Sequence, residues 1–79
     1  MVFCNYIERT EDVVKYAYGA TPEDITGLFA FDFIKKELKI IKPPTEDDAP
    51  IRHLHSLLRI NQNLFDKGIF KEKMSYESA

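Results

Sequence analysis

The sequence predicts an α+β fold of two layers. The expected sheet is antiparallel, with four to five strands: two hairpins plus a C-terminal edge strand. One long helix is expected to pack on one face. Three observations predict this. Short β-branched and aromatic runs, broken by polar or proline-containing stretches, fill positions 2–42. A single long apolar pattern of helical period follows, and it ends at Gly68. Finally, 79 residues are too few for a Rossmann, barrel or hydrolase scaffold, so one domain with one modest core is expected over 1–79.

The first hairpin is read over 2–8 and 13–18. Val2 to Glu8 and Val13 to Tyr18 flank the polar break Thr10-Glu11-Asp12. Strand side chains alternate, so Val14, Tyr16 and Tyr18 share a face. A short helix capped by Thr10 and ended by Gly19 is the competing reading of the second segment. Thr21-Pro22-Glu23-Asp24 then looks like a helix start, because threonine can cap and proline and acids suit the first turn. Gly27 limits that helix to one or two turns.

The second hairpin is read over 28–34 and 38–42. Phe29, Phe31 and Phe33 alternate with Leu28, Ala30 and Asp32. The expected register sets Phe33 opposite Leu38, Phe31 opposite Ile40 and Ala30 opposite Ile41, with Lys35-Lys36 in the turn. It also sets Asp32 opposite Lys39, a favourable pair. The turn has no Gly, Asn or Asp, which argues against a tight primed turn.

Pro43 to Pro50 cannot be a central strand and is read as an extended connection. Pro50 suits only a first helical turn, which puts the cap near Asp48. The helix is read over 50–67. Ile51, Leu54, Leu57, Leu58, Leu64 and Phe65 fall on one side, and Arg52, Ser56, Arg59, Asn63, Asp66 and Lys67 on the other. The last strand is read over 69–76, with Phe70, Met74 and Tyr76 on one face. Its outward lysines place it at an edge.

Composition excludes several functions. Eleven basic against thirteen acidic residues give a net charge of −2, without the basic excess of a nucleic-acid binder. No run is long enough to cross a membrane, and the first seven residues lack the pattern of a secretory leader. A single cysteine, Cys4, cannot form an internal disulfide, so a reducing cytoplasm is expected and Cys4 reads as a buried, inert thiol. Charge is nevertheless uneven. Residues 28–42 carry four lysines against Asp32 and Glu37, while 43–50 carry three acids and no base.

Candidate chemistry is sparse. No phosphate loop, dinucleotide fingerprint or glycine-flanked serine occurs, so no catalytic residue is assigned and no enzyme is expected. His53 and His55 are two apart, which points them about 160° apart round a helix and rules out a shared metal ion. No metal and no cofactor are therefore expected. His53 falls at the apolar margin and reads as a group titrating near neutral pH. Glu46, Asp47 and Asp48, with Glu23 and Asp24, could gather round a cation, but they lack the calcium-loop pattern and fit helix capping better.

Asn61 falls inside the apolar arc. Either it bonds to a backbone group of the connection or of a sheet end, or it lines a pocket or interface. The Phe stripe belongs under the helix. The opposite sheet face, with Ala30, Ile41 and either Tyr6 or Ile7, is expected to be apolar and covered by a partner or a second copy.

The function expected is therefore a small, non-enzymatic, soluble protein acting through protein–protein interaction or self-association, a homodimer included. No nucleic-acid or membrane partner is expected. The alternative is a small ligand- or metal-binding protein using Asn61, His53 and the Tyr16–Tyr18 face. In size, acidity and α+β build, the chain is similar to many small bacterial proteins, immunity proteins of toxin systems among them. That likeness is one of type, carries over no residue, and adds an immunity-type partner of a toxin as a further alternative.

Overall fold

A computed structural model describes residues 1–46 and 51–77. Five strands and one helix form: β1 (Val2–Arg9), β2 (Val13–Gly19), β3 (Gly27–Asp32), β4 (Glu37–Lys42), α1 (Ile51–Asp66) and β5 (Lys73–Tyr76). The strands make one antiparallel sheet in the order β4-β3-β2-β1-β5. Short connections lay β1 to β4 side by side as a meander. The chain then crosses one face as α1 and returns to the far edge as β5. The expected fold class is the one formed.

Alternation decides which face is buried. Val2, Cys4, Val14, Tyr16, Tyr18, Phe29, Phe31 and Met74 point to the helix layer, where Leu54, Leu57, Leu58 and Phe65 meet them. Tyr16 and Phe29 stack at 5.8 Å, and Phe65 stacks on Phe70 at 5.2 Å. Aromatic pairs at these separations add to plain area burial.

The first turn follows from Thr10, whose Oγ1 accepts from the Val13 amide at 3.2 Å while its own amide donates to the Val13 carbonyl at 2.8 Å. That closes a hairpin rather than capping a helix. The helix ends as its sequence requires. Gly68 adopts a φ of 77°, its amide donates to the Phe65 carbonyl, and the Ile69 amide donates to the Leu64 carbonyl. This is the paired bonding of a Schellman C-terminus. The expected cap near Asp48 lies outside the described residues.

Four expectations need correction. The second hairpin slides by two residues, with Phe31 opposite Leu38, Phe29 opposite Ile40, Ala30 opposite Lys39 and Asp32 opposite Glu37. A slide of two leaves every side chain on its expected face, so hydrophobic alternation cannot choose between the registers. The turn chooses. Asp32 Oδ1 accepts from the amides of Ile34 at 3.0 Å and Lys35 at 2.8 Å, which holds residues 33–36 as a four-residue loop. Asp32 is thus committed to its own turn instead of to Lys39. Phe33 leaves the strand yet stays buried against Phe65 and Phe70.

Second, residues 19–27 contain no helical turn. Thr21 and Asp24 form an isolated bridge, and the Asp24 amide donates to the Thr21 carbonyl at 3.2 Å. Third, Tyr6 lies on the core face, opposite Tyr16 and edge-on to its ring at 5.8 Å. The ladder slips just after it, leaving Ile7 as the extra residue, 51% exposed. Fourth, the last strand starts at Lys73 rather than at 69. The segment before it is drawn in by the helix end and by Phe70, and the Glu72 carbonyl accepts from Tyr6.

Candidate functional site

Two shallow concavities stand out among the described residues. The first, about 270 Å³, lies between the helix flank and the β3–β4 hairpin. Its floor is Phe31 and Leu58, and its rim is Lys36, His55, Arg59 and Gln62. Helical spacing places the rim, because 55, 59 and 62 follow the i, i+4, i+7 stripe of one flank. Lys36 comes from the hairpin loop, where it is the one non-glycine residue with a positive φ (60°) among the described residues. Gln62 fixes helix to hairpin: its Nε2 donates to the Phe33 carbonyl and to Asp66 Oδ1, both at 2.9 Å.

β4 starts at Glu37, the residue after Lys36 at the rim of this groove. It pairs only with β3, so its outer backbone edge is unpaired in the sheet. Its inward Leu38 and Ile40 are half-buried, whereas Phe29 and Phe31 on β3 are buried. The rim is electrostatically unbalanced. Among the described residues the one ion pair is Lys15–Glu8 at 3.5 Å, leaving Lys36 and Arg59 without a carboxylate.

The second concavity, about 340 Å³, lies where β1 and β5 meet the β2–β3 connection, and includes Phe3, Asn5, Pro22, Ile25 and Lys73.

The residues singled out from sequence do not converge. Tyr16 and Tyr18 are buried in the core, with the Tyr16 hydroxyl donating to the Lys71 carbonyl at 2.7 Å. Burial raises the Tyr16 phenol pKa, and neighbouring Cys4 and Tyr6 raise it further. Asn61 is buried, and its Nδ2 donates to the Leu57 carbonyl at 2.9 Å. That bond stays within its own helix instead of reaching the connection or a sheet end. Ala30 is on the outer face, between Lys15 and Lys39. Ile41 is the extra residue where the β3–β4 ladder slips, 45% exposed.

The two histidines separate as their spacing requires, His53 buried and His55 exposed. His53 Nδ1 lies 3.0 Å from the amino terminus, and its ring contacts Tyr76 at 5.5 Å. Its Nε2 is buried with no hydrogen-bond partner among the described residues. Burial first, then the amino terminus and Arg52, hold its pKa below the ordinary imidazole value. Cys4 is buried, and burial pushes its thiol up to about 12. Among the described residues no group of three His, Cys, Asp or Glu side chains could hold a metal ion, and no helix is long and apolar enough to cross a membrane.

Sequence reasoning missed the groove. The signals were present as the His55–Arg59–Gln62 stripe and the Lys35-Lys36 pair, but nothing local places that stripe beside that turn. It also missed Asp24, read as a helix-start acid. Asp24 is buried; its Oδ1 accepts from Thr26 Oγ1 at 2.5 Å and its Oδ2 from the Glu46 amide at 2.8 Å. Thr26 Oγ1 in turn accepts from the Thr45 amide at 2.8 Å. These bonds clamp the β2–β3 connection to the chain leaving β4.

Comparison with family models, curated proteins and solved structures returns no match, so the functional reading rests on geometry.

Proposed function

We propose that this chain is a small non-enzymatic protein-interaction module of the cytoplasm, working through the free edge of β4 and the groove beside it. The observation that carries the reading is that the free strand starts at the groove's rim, one residue after Lys36. An unpaired strand edge offers main-chain hydrogen bonds to another chain, and an apolar floor next to it offers side-chain burial. The lone thiol of Cys4, buried and unpaired, suits a reducing compartment. The ligand-binding alternative has less support, because Asn61, Tyr16 and Tyr18 already serve the core and helix.

Tagged protein tests this by capture from lysate of its source cells and by sedimentation velocity at tens of micromolar. A stoichiometric protein partner, or a defined homo-oligomer, supports the reading. Recovery of a monomer alone in both experiments rejects it.

A further inference from the structure

We propose that the groove between the β3–β4 hairpin and α1 takes an extended acidic segment of a partner protein, which runs on from Lys36 along the edge of β4 as a sixth strand. This rests on the interaction-module reading and names the partner's chemistry.

Charge complementarity carries the inference. The chain as a whole is acidic, at −2, yet this corner is basic. Lys36 and Arg59 rim the groove, Lys39 and Lys42 lie along β4, and the Asp66 carboxylate beside the rim is engaged by Gln62. Asp32 on the adjoining strand is engaged by its own turn, so Glu37 is the remaining acid of the hairpin. An incoming strand with acids at alternate positions meets Lys36 and Arg59 on the helix side. Acids on its other face meet Lys39.

A second copy fits this edge less well, because β4 carries two lysines, Lys39 and Lys42, against one acid, Glu37, so a β4–β4 pair holds a net positive charge. Size agrees as well. β4 offers six residues, a span of about 20 Å. The groove, about 270 Å³ over Phe31 and Leu58, accepts one or two side chains.

Lys36 supplies an independent indication. A left-handed backbone favours glycine, yet a lysine occupies it and lines the groove. A side chain kept in an unfavourable conformation beside a groove points to a role for that side chain.

A random heptapeptide display library, selected against the immobilised full chain, tests the proposal. An enriched peptide is then synthesised with capped ends and titrated into 15N-labelled protein. Enriched peptides are expected to carry Asp or Glu at alternate positions, and to shift amides of residues 36–42 and 55–62. Lys36→Gly and Arg59→Gln, both surface changes checked for a dispersed spectrum, are each expected to weaken binding at least fivefold. Raising salt from about 50 to 300 mM should weaken it severalfold, because exposed charges are screened.

No enrichment, peptides without acids, shifts on another face, or unchanged affinity in both variants overturns the proposal. So does a ten-nucleotide polyuridylate that shifts the same amides more strongly than the peptide. A cellular partner still captured by both variants would leave protein interaction standing as the function while rejecting this groove as its site, and with it the location given to the module above.

Discussion

The hydroxyl of Tyr16, in the middle strand of the sheet, donates a 2.7 Å hydrogen bond to the carbonyl of Lys71, 55 residues away. It ties the segment entering β5 to the core, where Phe70 packs on Phe65 and Phe33. Tyr16→Phe keeps the ring and removes the bond. We expect a loss of about 1 kcal/mol by urea denaturation, the usual net worth of such a bond. Amide exchange in β5 should quicken more than in β3. Equal quickening in both strands would show that the bond does not hold β5 locally.

Gly19 faces the clamp. A Cβ there would sit 1.6 Å from the Asp24 carbonyl oxygen, a backbone atom that cannot yield without moving the connection. Gly19→Ala is expected to cost about 3 kcal/mol or more, at the upper end of overpacking. Asp24→Ala should also destabilise, through the unpaired Glu46 amide and the lost bond from the Thr26 hydroxyl, which keeps Thr45 as a partner. Thermal melts of the two variants and their double mutant measure the coupling, which should be non-additive.

Two positive-φ positions should respond in opposite senses. Gly68 has open space round its missing Cβ, so Gly68→Ala meets backbone strain alone, costing about 1–2 kcal/mol. Lys36→Gly relieves the same kind of strain against a greater entropy loss on folding, leaving stability unchanged or raised by up to about 1 kcal/mol. Denaturation midpoints check both. A clear loss at Lys36→Gly would mean that the lysine side chain supports the fold.

Acid should destabilise through His53. Its folded pKa lies below the unfolded value of about 6.5, so the unfolded chain binds the extra proton first. Stability attributable to His53 is therefore whole above about pH 6.5 and falls as pH drops toward the folded pKa. Denaturation free energy measured from pH 7.5 downward should decline across that window. His53→Gln should remove that part of the slope. An imidazole that titrates at or above 6.5 in the folded protein by NMR would contradict this.

Cys4 should be silent toward thiol reagents in the native state. It is 1% exposed and its thiol is pushed up to about 12, so thiolate is scarce at neutral pH. Alkylation by iodoacetamide at pH 7.5 should proceed only through opening of β1, and accelerate with added urea as the population of open states rises. Rapid labelling without denaturant would place Cys4 in an exposed environment.

The sequence by itself determined whatever depends on near neighbours. Alternation put Val14, Tyr16, Tyr18, Phe29 and Phe31 on one face, a helical stripe put Leu54, Leu58 and Phe65 against them, and Gly68 ended the helix. Those choices follow from side-chain period and backbone preference, which a local window contains.

Tertiary structure decided what joins distant segments. Strand order is invisible to periodicity. The β3–β4 register could not be chosen by alternation, since a two-residue slide preserves both faces; the carboxylate of Asp32 on two turn amides settled it. Asp24 reads as a helix-start acid in its own window, and becomes a buried clamp only when Thr26, Thr45 and Glu46 converge on it. The groove has the same origin. Lys36 and Arg59 are ordinary surface cations until the crossing of α1 sets a helix flank beside a hairpin loop, along an edge that only the strand order leaves open.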